Sequence, residues 1–153
     1  MASLVQTQME ANALLREHGL ADKGWRFVYD NARKRGGYCQ HHIKTISMSR
    51  YLVPMWTEEQ VTETLLHEIA HALVGPGAGH GPVWKRKAWE IGCREGRTHS
   101  NATVEGRYVS SCTKCGKQTG TRHRRPQNMS TGWYTHRGCG GDIAWLDTAR
   151  QTA

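Results

Sequence analysis

The chain has 153 residues, a length that suits one domain or one domain with a small appendage and excludes two full-sized ones. Hydrophobic residues make up 37%, so burial rests on a modest core helped by six Trp and five Tyr, and part of the chain calls for another source of stability. Residues 1–84 hold 8 basic and 8 acidic side chains while residues 85–153 hold 13 and 5, so the whole net charge of +8 lies in the second part. Such asymmetry points to two tasks, one of them contact with a polyanion.

No window approaches the run of about 18 apolar residues that a membrane span needs. Met1 to Gln8 lacks the basic and apolar regions of a secretory leader, so a cytoplasmic protein is expected, nucleoid-associated or nuclear according to the cell. The five cysteines are odd in number, which favours metal ligation over disulfide stapling. No repeat of 20–50 residues is visible.

In chain order, Leu4, Val5, Met9, Ala13 and Leu14 recur at helical spacing and predict a first helix ending at His18-Gly19. Trp25 to Tyr29 and Tyr38 to Met48 read as two or three short antiparallel strands around a basic, Gly-ended turn. Thr57 opens a strong helix with Gln60 as its capping-box partner and acidic residues in the first turn. That helix runs through Val61, Leu65, Leu66, Ile69, Ala70 and Leu73 and stops at Gly75-Pro76. A loop rich in glycine follows, and Pro82 starts a further helix through Trp84, Ala88, Trp89 and Ile91, stopped at Gly92. From about Val104 the pattern changes to short β-like pieces around paired cysteines. The expected domains are therefore residues 1–103 and residues 104–153.

The chemistry concentrates in two constellations. In His67-Glu68-Ile69-Ala70-His71 the two histidines stand one helical turn apart on one face, where both imidazoles reach a single zinc ion; this is the zincin arrangement. Glu68, rotated by about 100° from His67, is placed to act on water as a general base rather than to bind the metal. A third ligand is required, and His80, in Gly79-His80-Gly81, leads because glycine permits the tight return. Glu90 and Glu95 are its rivals. The glycines do not form a phosphate loop, since they follow a helix and lack the Lys-Ser/Thr ending.

The second constellation is Cys112-Thr113-Lys114-Cys115 with His136-Arg137-Gly138-Cys139, two knuckles each followed by glycine. Four soft ligands in two pairs describe a closed, structural zinc ribbon of Cys3His type, worth roughly 10–16 kcal/mol of apparent metal-binding free energy. His123 has the wrong spacing to replace His136. Cys39 and Cys93 read as buried thiols, and His41, His42 and His99 as surface or packed histidines. Between the knuckles Arg122, Arg124 and Arg125 precede Trp133 and Tyr134, a basic run beside aromatics that suits single-stranded or unpaired nucleic acid; the alternative is a solvated loop with Trp133 packed on the ribbon. Lys85, Arg86 and Lys87 either extend that patch or form a solvent face.

The active-site pattern, Gly79-His80-Gly81-Pro82-Val83-Trp84, and the ribbon Cys112, Cys115 and Cys139-Gly140-Gly141 together resemble the SprT-like family, which includes the Spartan-type proteases of DNA-crosslinked proteins. The resemblance covers about residues 5–147 and includes Gly36-Gly37-Tyr38-Cys39 and Ile46-Ser47-Met48-Ser49 before the active-site helix. It departs at His136, where the family's ribbons commonly have a cysteine. It implies an α+β, zincin-like metalloprotease core followed by a small β zinc ribbon. It further implies zinc on His67, His71 and His80, Glu68 as catalytic base, and DNA-stimulated proteolysis. The resulting expectation is a zinc endopeptidase with two zinc ions per chain that cleaves proteins bound or crosslinked to DNA. The alternative is a nucleic-acid-binding zinc-ribbon protein whose zincin part is structural or regulatory.

Overall fold

The structure, a computed structural model, describes residues 1–95, 101–103 and 105–150. The chain divides into two compact units, Met1–Val104 and Glu105–Ala153. Helices and a small sheet make up the first, and a small sheet the second; His99 and Val104 lie outside the described residues.

In the first unit, helix α1 (Leu4–Glu17) starts at Ser3, whose hydroxyl accepts from the Gln6 amide, and ends at His18. Thr7, Ala11 and Leu15, four residues apart, form its buried face. Three strands follow: β1 (Arg26–Asp30), β2 (Gly37–Gln40) and β3 (Thr45–Ser49), in the spatial order β1-β3-β2. The expected all-antiparallel arrangement is corrected here: β2 and β3 are antiparallel, but β1 and β3 are parallel, with Phe27 beside Ile46 and Tyr29 beside Met48. The central strand β3 is buried at every residue, so it shows no alternation from which strand direction could be inferred.

Helix α2 (Glu58–Val74) carries the full capping box. The Gln60 amide donates to Thr57 Oγ1 at 3.2 Å, and the Thr57 amide donates to Gln60 Oε1 at 2.9 Å. Val61, Leu65 and Ile69, again four apart, enter the main core with Leu15, Leu20, Phe27, Ile46, Met48, Leu52 and Trp56. Leu66 and Ala70, on another stripe, pack with Trp84 and Ala88 of helix α3 (Pro82–Glu90). Both flanks of α2 are thus held, which fixes the rotation of its remaining face. Among the described residues, no helix is long and apolar enough to cross a membrane.

The second unit is an antiparallel sheet of β4 (Tyr108–Cys112), β5 (Gln118–Arg122) and β6 (Ile143–Asp147), in the order β5-β4-β6. Strand β4 alternates cleanly, burying Tyr108, Ser110 and Cys112. Tyr108 and Cys112 are the buried hydrophobic residues of this unit among those described. So thin a core needs a second source of stability.

Candidate metal centres

Helix α2 turns His67 and His71 to one side, and the loop ahead of α3 brings His80 back to them. His80 Nε2 lies 2.9 Å from His67 Nε2 and 3.1 Å from His71 Nε2. Three ring nitrogens converging on one point cannot all be satisfied by exchanging protons among themselves, because each carries one proton at most. A shared cation suits three such lone pairs. Ligands on a tetrahedral zinc at about 2.0–2.1 Å stand roughly 3.3–3.4 Å apart, close to the spacing found, so the three histidines fit zinc. Burial, then His80 and His41, lowers His71 to about 4, which keeps its imidazole neutral and able to ligate near pH 7.

Trp84 backs this cluster. Its ring centroid lies 4.6 Å from that of His67, 4.7 Å from His80 and 5.3 Å from His71, with the last pair stacked. Its indole N–H donates to the His67 carbonyl at 3.4 Å. The sequence marked Trp84 as an apolar helix position, and its place four residues after His80 was the available signal for more.

Glu68 is 8% exposed and sits under strand β2. A Cβ on Gly37 would lie 2.9 Å from Glu68 Cγ and 2.9 Å from Thr64 Cγ2, so only glycine allows the strand this close. Burial pushes the Glu68 carboxyl up to about 7, with Arg35 pulling the other way. Arg35 is fixed by Asp30 at 3.0 Å and lies over the Tyr38 ring at 4.3 Å. A carboxyl poised near neutrality suits general-base chemistry. Beside β2 and the end of α2 opens a cavity of about 610 Å³ lined in part by Trp25, Tyr38, Cys39, His41, Ala72 and Pro76.

In the second unit, Cys112, Cys115, His136 and Cys139 come together with all ligand atoms within 4.8 Å. Cys112 Sγ is 3.3 Å from Cys139 Sγ, and His136 Nδ1 is 3.5 Å from Cys115 Sγ and 3.3 Å from Cys139 Sγ. The two knuckles share one backbone design. Gly116 and Gly140 both have φ of 71°, and their amides donate to the carbonyls of Cys112 and His136 at 2.9 and 2.8 Å. That left-handed turn favours glycine and folds each pair of ligands onto one point. The Cys115 amide, against the opposing effect of burial, draws the Cys112 thiol down to about 6, which favours the thiolate that ligates metal. The donor set fits a closed zinc site.

The other candidates separate from these clusters. Glu90 pairs with Lys87 at 3.1 Å on the surface, and neither it nor Glu95 joins the three histidines. His123 stays outside the ribbon cluster. Cys93 is buried, but Cys39 is half-buried on the cavity wall rather than a core thiol, because edge strand β2 faces that opening. Arg122, Arg124 and Arg125 are exposed, and Trp133 is 70% exposed rather than packed. Arg122 and Tyr134 share a cavity of about 230 Å³ with Trp145 of β6, a residue that the sequence pattern does not single out.

A helix-borne histidine pair, a third histidine from a glycine loop and a buried glutamate define a candidate metallohydrolase centre. The chain belongs to the SprT-like family, a zinc metalloprotease-type family whose model matches residues 6–105. It is also similar to the germ cell nuclear acidic-1 protein of Caenorhabditis elegans, 34% identical over 100 residues, which is 55% of this chain and 18% of that protein.

Proposed function

We propose that this protein is a zinc-dependent endopeptidase of zincin type that cleaves proteins bound or crosslinked to DNA and is stimulated by that DNA. The observation that carries the reading is the convergence of His67, His71 and His80 beside buried Glu68. The three histidines would hold zinc, which when bound lowers the pKa of water toward 7 and polarises a carbonyl as a Lewis acid. A Glu68 carboxylate oxygen takes the proton of the attacking water and delivers it to the leaving amine nitrogen. Trp84 keeps the imidazoles in place, and the cavity along β2 receives the peptide.

Cys112, Cys115, His136 and Cys139 would hold a second, structural zinc. The face formed by Arg122, Tyr134 and Trp145 supports the DNA part of the reading. The Arg122 guanidinium lies 5.4 Å from the Trp145 ring centroid, and the buried Trp145 Nε1 has no hydrogen-bond acceptor among the described residues. An aromatic cleft with a spare donor and a cation suits an unstacked base. Arg124, Arg125 and Trp133 would follow the strand outside it.

The test is cleavage of a DNA-binding protein with and without single-stranded DNA. Cleavage by the wild type that rises with DNA and vanishes in Glu68→Gln is the expected result. Undiminished cleavage by Glu68→Gln would overturn the mechanism.

A further inference from the structure

Helix α3 presents an outward face that neither metal centre uses. Trp84 and Ala88 are its buried side, and the 100° step of a helix sends Lys85, Arg86 and Trp89 to another side, where all three are exposed. Trp89 is 65% exposed, a large area for an indole to leave in water. Arg94, just beyond the helix, lays its guanidinium 3.9 Å from the Trp89 ring centroid. Its Nη1 donates to the carbonyls of Trp89 at 2.9 Å and Cys93 at 3.4 Å. One face of the indole is therefore braced by a cation that is itself held in place.

The acidic groups nearest this ring are already engaged. Glu90 is engaged by Lys87 at 3.1 Å, and Glu63 Oε2 accepts from the backbone amides of Arg94 and Glu95. Lys85, Arg86 and Arg94 have no carboxylate partner among the described residues. An exposed, braced indole beside Lys85, Arg86 and Arg94, none of which has a carboxylate partner among the described residues, is the composition of a surface that stacks bases and tracks phosphates.

We propose that this face of α3 is a nucleic-acid platform carried by the first unit itself. A base of a single strand stacks on the open side of Trp89 while Lys85 and Arg86 take the flanking phosphates. The inference deepens the DNA-dependence proposed above and is separate from the ribbon. It also has a mechanistic consequence. Helix α3 begins two residues after His80, so Trp89 stands about 10 Å along the helix axis from that loop. A strand held there keeps its attached protein near the three histidines.

The experiment is anisotropy of a short labelled oligothymidylate with the full, zinc-loaded chain, for the wild type, Trp89→Ala, Trp89→Phe, Lys85→Gln/Arg86→Gln and the ribbon variant Trp145→Ala. Zinc content reports that each variant is folded. Trp89→Ala is expected to weaken binding at least about fivefold, with Trp89→Phe recovering most of it. The Lys85/Arg86 variant is expected to lower the slope of log affinity against log salt by about 1.4, the value for two contacts with a single strand. Unchanged affinity and slope, with Trp145→Ala weakened, would overturn this platform and leave the ribbon reading intact. Failure of the wild type to bind would remove both. Polyglutamate or anionic vesicles binding through Trp89 as tightly as the oligonucleotide would overturn the choice of partner.

Discussion

Gly37 and Glu68 show how one missing carbon places the proposed catalytic base. The strand lies so close to α2 that a methyl at Gly37 meets Glu68 Cγ and Thr64 Cγ2 at 2.9 Å, and both neighbours are buried. Gly37→Ala must move the carboxylate or the strand, so it is expected to lower kcat about 100-fold, the cost of a misplacement near 1 Å, while metal analysis finds the zinc retained. Glu68 also carries a pH signature in metal-free protein. Its carboxyl titrates near 7 in the folded chain because of burial, against 4.5 ordinarily. Below 4.5 it is protonated in both states. Between 4.5 and 7 only the folded state keeps the proton, so stability falls as pH rises, by on the order of 3 kcal/mol in all. Glu68→Gln removes that fall. Chelated wild type and variant should unfold alike near pH 4.5, and the variant should be the more stable above pH 7. Equal stability at both ends would refute the raised value. At this scale the convergence of His67 and His71 was legible in the sequence because one helical turn fixes their spacing. Trp84 and Trp145 were not, since their roles depend on which rings and cavities tertiary folding brings to them.

Elements differ in how far their causes are local. The start of α2 was legible because its capping box is a contact between residues three apart, and Thr57 and Gln60 form both of its hydrogen bonds. Thr57→Ala is expected to cost about 1 kcal/mol in urea unfolding without loss of zinc, since His67 and His71 lie in the third and fourth turns of the helix, away from the cap. A variant that lost zinc instead would show that the cap positions the site. The parallel pairing of β1 and β3 was not legible. Strand direction is decided by partners distant in sequence, and β3, buried on both faces, carries no alternating pattern. Loop-borne His80 falls between these cases: the glycines announced a tight return, but only the packing of α3 on Leu66 and Ala70 fixes where it ends.

At the scale of the whole molecule, the two units differ in how they are stabilised, and their boundary after Val104 falls later in the chain than the start of the basic excess at Lys85. The first, net neutral through residue 84, closes on a continuous apolar core. The second has two buried hydrophobic residues among those described, and one of them is the candidate ligand Cys112. A ribbon with so little to bury would depend on its metal for folding, whereas His67 and His71 of the first unit sit on a helix that the core already holds. The two sites should therefore respond differently to ligand loss. Wild type is expected to bind two zinc ions, and Cys112→Ser one. In that variant the heat-unfolding transition of the first unit and Glu68-dependent cleavage of an unstructured peptide should persist, while stimulation by single-stranded DNA should fall to the part that the α3 face supports, because the basic face of the ribbon loses its scaffold. His71→Ala should give the reverse: one zinc retained, DNA bound and no cleavage. A wild type with a single zinc that disappears in Cys112→Ser would show that the three histidines hold no metal and would reduce the chain to a nucleic-acid-binding ribbon with an inert partner.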